Sequence, residues 1–218
     1  MGTWDVMSSH YVDIHSPPPG LSSFTKIRLG WISPEQAVLV RPGETKGALL
    51  SPLSRGGDTL AIKIPLDRGR YYLVENRQPI GCDRIQPDSG ILILKVDPWA
   101  QEGAGTARIM DADPASPNFS HATFRLDREK RRLFIDEDNG VAILPLWSHG
   151  EKQGLLVTTP EKSADALRAA LMITRMWTRS PEPKGERERR LREACVKAFR
   201  EFHFKKSWQI ARKALKEQ

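Results

Sequence analysis

Cysteine is scarce in this sequence of 218 residues, and long apolar runs are missing altogether. The two cysteines, Cys82 and Cys195, form neither a disulfide framework nor a metal-binding cysteine motif. No stretch approaches the roughly 18 to 20 consecutive apolar residues that a membrane-spanning helix needs, so we expect no transmembrane segment. Residues 1–5 lack the basic flank and apolar run of a signal peptide. A glycine-rich phosphate-binding loop is also missing, which argues against a P-loop protein.

The composition is that of a globular chain, with 39% apolar and 28% charged residues. The formal net charge of +7 is confined to one end of the chain. Residues 1–160 hold 18 Lys and Arg against 19 Asp and Glu, whereas residues 161–218 hold 16 against 8. The basic character therefore describes the last quarter of the chain and says nothing about the rest.

Short alternating runs rich in β-branched residues, separated by Gly, Pro, Asp and Asn, predict nine strands in the middle of the chain. They are residues 36–41, 48–53, 59–64, 70–75, 91–96, 106–110, 132–135, 141–146 and 154–158. No long helical pattern lies between them, which favours a mainly β fold with an antiparallel, sandwich-like domain. The run Ile91–Leu94 does not alternate and predicts a central strand buried on both faces.

Helical patterns are expected at both ends. Ser22 or Ser23 can cap a short helix that Gly30 ends. Ser163 can cap a first helix of the tail, residues 180–185 break it, and two further helices follow. We therefore predict three parts, which are a short N-terminal part (1–32), a β-sandwich-like domain (33–160) and a basic helical tail (161–218).

Four sequence blocks in one order carry a resemblance. They read G-T-W-D-V-M (residues 2–7), K-I-R-L-G-W-I (26–32), Y-Y-L-V-E-N-R (71–77), and a segment from Asp83 to Asp97 that contains P-D-S-G-I-L-I-L-K-V-D. Together they resemble the immune inhibitor A family of zinc metallopeptidases (peptidase family M-six). In that family the first block is a methionine turn beneath the metal. The resemblance covers about 95 residues, fades after Asp113 and leaves the helical tail outside.

The resemblance implies structural roles, and no catalytic or metal-binding role, for residues of this chain. The methionine turn comprises Trp4, Asp5 and Met7, and Met7 would form an apolar floor beneath the zinc. The alternative for this chain is that Met7 is a buried packing residue. The other family-motif positions are Lys26, Gly30, Trp31, Glu75, Arg77, Asp83, Gly90 and Asp97. From the residues themselves, we expect Trp4 and Trp31 to be core anchors. Glu75 and Arg77, two apart on one strand face, can pair with each other or with neighbours, and we expect an ion pair or a buried structural carboxylate rather than a catalytic role.

The zinc-binding H-E-x-x-H helix of that family precedes the turn, and this motif does not occur in these 218 residues. His10 and His15 lie five apart in a proline-flanked loop, and we expect neither to bind zinc. The chain thus resembles the C-terminal part of a peptidase, in which residues 1–32 are a remnant of the catalytic domain with the methionine turn and the following helix. We expect the chain to be inactive alone. For the parent only, the resemblance implies zinc, a peptide or protein substrate and an exported location. For this chain, it implies a missing catalytic half as the partner.

An alternative is a non-catalytic binding module whose β-domain and basic tail engage a protein, a nucleic acid or an anionic surface. For the tail we favour a solvated helical face instead, because its aromatic residues fall on the apolar stripe and its glutamates partly neutralise it.

The acidic segment Asp136–Gly140 is interpreted as a hairpin turn, since the twelfth position of a calcium loop would be Trp147.

Overall fold

The computed structural model describes residues 1–7, 15, 17–101 and 104–217. These residues group into two compact units, Met1–Val157 and Thr158–Gln218. The first unit is mainly β-sheet and the second is helical, which confirms the predicted order of a β-rich part followed by helices. The predicted border at residue 32 separates a remnant of a catalytic domain from the β-sandwich-like domain. It lies within the first unit, and it stays a prediction.

The described part of the first unit contains nine strands, preceded by helix α1 (Ser23–Arg28) with Ser22 at its N-cap. The strands are β1 (Ala37–Leu39), β2 (Lys46–Leu50), β3 (Ala61–Pro65), β4 (Tyr71–Arg77), β5 (Gly90–Val96), β6 (Ala107–Ile109), β7 (Phe134–Asp136), β8 (Val141–His149) and β9 (Lys152–Thr158). Each overlaps one predicted strand, because the turn residues between the apolar runs determine where the chain can reverse. The hairpin turn predicted at residues 136–140 joins β7 to β8.

The strands form two sheets, one in the order β1-β3-β4-β5-β6 and one in the order β2-β9-β8-β7. Neighbours from β3 to β6 are antiparallel, as are β2 with β9 and β7 with β8. β1 and β3 are parallel, with Ala37 opposite Ala61, so the prediction of a wholly antiparallel arrangement was wrong at this edge. The reason is that β2 belongs to the other sheet, and the chain crosses through it before it returns in its original direction.

One core cluster draws side chains from both sheets. It includes Ile62 and Val74 from the five-stranded sheet together with Leu50, Ile143 and Leu155 from the four-stranded sheet. All five are fully buried. The inward-facing half of each alternating strand supplies these side chains, as the period of two in their sequences predicts.

β5 is buried on both faces, as its unbroken apolar run predicts. Ile91 and Ile93 belong to the cluster that draws on both sheets, whereas Leu92 and Leu94 belong to a second cluster on the other face of the five-stranded sheet. Trp4 lies in that second cluster and is fully buried. The N-terminal segment therefore covers the outer face of the central strands.

The second unit consists of helices α2 (Pro160–Arg179), α3 (Glu186–Arg200) and α4 (Phe204–Glu217). α2 begins at Pro160 with Thr159 at the N-cap position, so the prediction that Ser163 caps it was wrong. Proline suits the first position of a helix because its φ is preset and no N–H bond is lost. Ser163 instead donates from Oγ to the Pro160 carbonyl at 2.6 Å.

α4 packs against both α2 and α3. Their shared core contains Met176, Cys195, Ala211 and Ala214, and the small alanines allow the helix axes to approach closely. Within the described residues, no helix combines the length and the apolar character that crossing a bilayer requires.

The two cysteines should differ in reactivity under native conditions. Cys82 is exposed, whereas Cys195 is buried in the helical unit, and burial raises the pKa of the Cys195 thiol. Because the thiolate is the reactive form, we expect Cys82 alone to react with a thiol reagent such as DTNB before denaturant is added. A Cys82→Ser variant should show almost no native reaction and full reaction of Cys195 once the helical unit unfolds. Fast native labelling of that variant would contradict the packing of α3 against α4.

Candidate functional site

β4 brings two opposite charges to the same face of the five-stranded sheet. Because successive side chains of a strand point to opposite faces, Leu73, Glu75 and Arg77 share one face, and Leu73 lies in the same cluster as Trp4. Glu75 and Arg77 are both 0% exposed. Charges buried this deeply are tolerated only when they are paired and hydrogen-bonded.

Two carboxylates neutralise Arg77. Its Nη1 donates to Glu75 Oε1 at 2.9 Å. Asp83, in a short 3-10 helix after β4, accepts from Arg77 Nε at 3.0 Å and from Nη2 at 2.7 Å. This two-pronged geometry matches the planar guanidinium and gives strong, directional bonds. Glu75, Arg77 and Asp83 are called the Arg77 cluster below.

The charges of the Arg77 cluster act on its own members and on a nearby lysine. Burial lowers the pKa of Arg77, but the negative charges of Glu75 and Asp83 outweigh burial and raise that pKa. Arg77 therefore stays charged inside the protein. Burial lowers the pKa of Lys26, against the opposing effect of the Asp83 charge. The Lys26 ammonium donates to the Leu53 carbonyl at 2.6 Å.

Arg77 holds the N-terminal turn against the sheet. Its Nη1 donates to the Trp4 carbonyl at 2.9 Å, and its guanidinium carbon lies 5.8 Å from the Trp4 ring centroid. At the other end of the side chain, the Trp4 indole Nε1 donates to the Phe119 carbonyl at 2.9 Å. The buried indole is therefore fixed by both its ring and its polar atom.

Asp5 joins the same turn to α1. Its Oδ1 accepts from the Met7 backbone N–H at 2.8 Å. Its Oδ2 accepts from the Ser22 N–H at 3.0 Å and from Thr25 Oγ1 at 2.8 Å, and the Ser22 hydroxyl also bonds to it. Ser22 is itself the N-cap of α1, so one carboxylate positions both the turn and the start of the helix.

The start of α1 is tied to β4 as well. The Ser23 backbone N–H donates to Glu75 Oε2 at 2.7 Å. Glu75 thus bonds to Arg77 through one oxygen and to the start of α1 through the other. The turn, the helix start and the strand form one hydrogen-bonded unit around buried charges.

Met7 differs from the other residues of the turn. Trp4 and Asp5 are fully buried, but the Met7 side chain is 74% exposed. The alternative that Met7 is a buried packing residue was therefore wrong.

The remaining family-motif positions lie near this turn or at strand ends. α1 ends in a Schellman motif, in which Gly30 has φ +74° and its N–H bonds to Ile27 O, while Trp31 N–H bonds to Lys26 O. The Trp31 side chain is 64% exposed, so the expectation that it anchors the core was wrong. Asp97 follows β5, and its Oδ1 accepts from the Trp99 N–H at 3.0 Å.

Two glycines allow close packing beside the Arg77 cluster. Gly90 pairs with Arg77 across β4 and β5, and it has φ +144°. A Cβ at Gly90 would lie 2.8 Å from Arg125 Cγ and 2.9 Å from the Phe124 carbonyl oxygen. A Cβ at Gly20 would lie only 2.4 Å from Asp83 Oδ1. A side chain at position 20 would displace Asp83 of the cluster, and one at position 90 would displace the segment 123–125 beside it.

The chemistry available to this site is structural. Both oxygens of Glu75 and both oxygens of Asp83 already accept hydrogen bonds, so neither carboxylate is poised as a general base. Among the described residues, no three His, Cys, Asp or Glu side chains lie together as a metal site requires. The residues present here therefore do not fit a zinc ion. His10 lies outside the described residues.

Sequence reasoning found only part of this site. The pairing of Glu75 with Arg77 was predicted and is confirmed. It missed Asp83 as the second partner of Arg77 and Asp5 as an acceptor for the start of α1. A signal existed for Asp83, because Pro79 and Gly81 favour a turn that brings the chain back to the end of β4.

Comparisons with protein-family models, with curated proteins and with solved structures each returned no match to the chain.

Removing one charge from the Arg77 cluster should destabilise the first unit strongly. In a Glu75→Gln variant, the Arg77 and Ser23 donors would compete for a single amide oxygen, and Arg77 would lose half of its compensating charge. Asp83 still balances the Arg77 charge, but buried donors lose a charged acceptor, so we expect the free energy of unfolding to fall by about 1 to 3 kcal/mol, measured by urea denaturation with tryptophan fluorescence. The matched control is Glu151→Gln, whose ion pair with Arg55 is largely exposed and should contribute less than about 1 kcal/mol. Equal, small effects of both variants would refute the central role of the cluster.

A Gly90→Ala variant should also destabilise the first unit, for steric reasons. The added methyl group would combine an unfavourable φ with contacts below 3.0 Å, so we expect a loss of at least about 2 kcal/mol. Gly43→Ala is the control, because Gly43 also has positive φ but no atom within 4 Å of its Cβ position, and it should lose only about 1 kcal/mol. Similar losses for the two variants would show that the backbone angle alone matters.

Proposed function

We propose that this chain carries the methionine turn and the following β-rich segment of an immune inhibitor A-like zinc metallopeptidase. In this proposal the parent protein hydrolyses peptide bonds, and this chain supplies the structural support for its metal site. The observation that carries the proposal is the contrast within one turn. Trp4 and Asp5 are locked into a buried network, while Met7 is 74% exposed.

The exposure of Met7 beside buried Trp4 and Asp5 suits an apolar floor residue that the metal-binding part of the protein would cover. A turn held by Asp5 and by the Arg77 cluster presents Met7 at a defined position, since its backbone N–H is bonded within the turn. In the resembling family the methionine lies under the zinc without binding it. A rigidly positioned, solvent-facing methionine is consistent with this role, because an apolar floor has to be preorganised before the metal-binding helix is placed over it.

We further propose that the two sheets pack face to face as a sandwich. The support is the core cluster that draws on both sheets, with Ile62 and Val74 from one and Leu155 and Ile143 from the other. Stacked sheets bury such inward-facing side chains between them. In this arrangement Glu75 and Arg77 lie on the outer face of the five-stranded sheet, under the N-terminal turn.

The zinc ligands and the general base are assigned to residues outside this chain. In H-E-x-x-H enzymes two histidines one helical turn apart bind the metal, and the zinc activates a water molecule for attack on the peptide bond. The residues of this chain contribute position and packing to that chemistry. We therefore expect the 218-residue chain alone to hydrolyse no peptide substrate.

The test is to sequence the DNA upstream of the first codon and to translate it in all three frames. We expect codons for an H-E-x-x-H motif in the same reading frame, a short distance before the codon of Trp4. The product that includes it should bind zinc stoichiometrically and should cleave protein substrates in an EDTA-sensitive manner. In that product, Met7→Ala should weaken zinc retention, while the same substitution in the 218-residue chain should leave its unfolding transition unchanged, because the side chain is exposed.

The absence of this motif from all three frames would overturn the proposal. The non-catalytic binding module would then be the better account of the chain. Stoichiometric zinc and EDTA-sensitive proteolysis by the 218-residue chain itself would contradict the assignment of the metal site to residues outside it.

A further inference from the structure

α4 carries an uninterrupted row of basic side chains on its outer face. The helix turns by about 100° per residue, so positions spaced 3, 4, 7 or 8 apart share a face. Six exposed residues fall within an arc of about 120° by this spacing, and five of them are cationic. They are Lys205, Lys206, Gln209, Arg212, Lys213 and Lys216, and they are called the α4 basic row.

The opposite face of α4 is committed to the helical core. Phe204, Ser207, Ala211 and Ala214 are buried, and α4 packs on both α2 and α3. Trp208, one of the aromatic residues among the basic residues of the sequence, donates from its indole nitrogen to Asp165 of α2 at 3.0 Å. The helix therefore cannot rotate to offer its apolar face elsewhere, and only the basic row is available to a partner.

The basic row also lacks internal neutralisation, unlike α3. On α3, Arg189 and Arg190 pair with Glu186 at 3.7 and 3.2 Å, and Lys197 lies 4.0 Å from Glu201. Among the described residues, no carboxylate pairs with any of the five cations of the α4 basic row. α3 thus carries Glu186, Glu188 and Glu193 among its basic residues, whereas α4 carries five cations and a single glutamate, Glu217.

Two acidic side chains of α2 lie at one end of the row. Glu161 and Asp165 of α2 line a shallow pocket together with Lys205 and Lys206. Asp165 is already engaged by the Trp208 indole. Arg212, Lys213 and Lys216, in the C-terminal half of the row, do not line this pocket, and all three are exposed to the solvent.

We propose that the α4 basic row binds the phosphate backbone of double-stranded DNA, with α4 lying along the major groove. An α-helix about 10 to 12 Å across fits a major groove about 12 Å wide. The row from Lys205 to Lys216 extends over about 16 Å, and duplex DNA carries one negative charge per about 1.7 Å of its axis. Gln209 lies in the middle of the row, where its amide can reach a base edge.

The connection of the helices supports the same partner. α3 and α4 are joined by the three residues 201–203, a turn length that is typical of helix-turn-helix pairs in which the second helix enters the groove.

An anionic membrane is the weaker partner, because interfacial helices insert an apolar face beside their cations. On α4 that face is buried in the protein.

The experiment is a titration of fluorescein-labelled duplex DNA of about 20 base pairs with the full chain, followed by fluorescence anisotropy at salt concentrations from about 50 to 200 mM. We expect the logarithm of the binding constant to fall linearly with the logarithm of the salt concentration. The expected slope is about −4, which corresponds to about five phosphate contacts. The variant Arg212→Gln/Lys213→Gln/Lys216→Gln should reduce the magnitude of this slope by about 2 to 3 and weaken binding at least tenfold at low salt.

The matched control removes the same charge from the same unit. Arg189→Gln/Arg190→Gln/Lys197→Gln removes three cations that are paired on α3, and we expect less than about a threefold change. Circular dichroism verifies that both variants stay helical. A second variant of the row, Lys205→Gln/Lys206→Gln, should also lower the affinity if the whole row contacts DNA.

Three outcomes would overturn the proposal. The first is no duplex binding at low salt, and the second is equal weakening by the α4 and α3 variants, which would indicate a response to net charge alone. The third is binding to vesicles that contain phosphatidylserine without binding to duplex DNA, which would assign the row to an anionic membrane surface. None of these outcomes depends on whether the first unit belongs to a peptidase.

Discussion

A guanidinium that is completely removed from water has to be neutralised on the spot, and the first unit is arranged around this constraint. Arg77 meets it with Glu75 on its own strand and Asp83 just beyond the strand. The cost of burying three charges is offset only while all their hydrogen bonds are made. Every segment that supplies one of those bonds is therefore held in place by the same requirement.

The segments that satisfy Arg77 and Glu75 are distant in sequence but adjacent in space. The Trp4 carbonyl and the Ser23 N–H both bond to the pair, and Asp5 connects the two segments to each other. A buried polar network of this kind specifies one arrangement, because an alternative packing leaves a charge unpaired. The rigid turn that results leaves Met7 facing solvent, and this is the geometric basis for the proposed role as the floor of a metal site.

The helical unit handles its charge in the opposite way. Arg192 is buried in an ion pair with Glu188, but the other basic residues of this unit are mostly at the surface. There α3 pairs several of them with glutamates one helical turn away, and no such pair is seen among the described residues of the α4 basic row. Charge that is neither buried nor paired contributes little to stability. It creates an electrostatic field that attracts a polyanion. The two units thus use charge for different purposes, one for internal specificity and the other for an external surface.

Local patterns in the sequence were sufficient for the secondary structure. Alternation and turn residues placed all nine strands, the unbroken apolar run predicted that β5 is buried on both faces, and the spacing of Glu75 and Arg77 on one strand face allowed the ion pair that forms. These features depend on neighbours within a few residues, and the periods of strands and helices encode them directly. The start of α2 was missed because Pro160 begins the helix earlier than Ser163.

Tertiary structure alone decided which distant groups meet. The parallel pairing of β1 with β3, the exposure of Trp31 and the bonds from Asp83 and Asp5 depend on the path of the chain between them. A sequence pattern carries no direct information about that path. The same holds for the separation of charge between α3 and α4, because the sequence lists their basic residues in one stretch. The sequence by itself determined which residues form strands, helices and turns, whereas packing decided which charges are paired in the interior and which face the solvent.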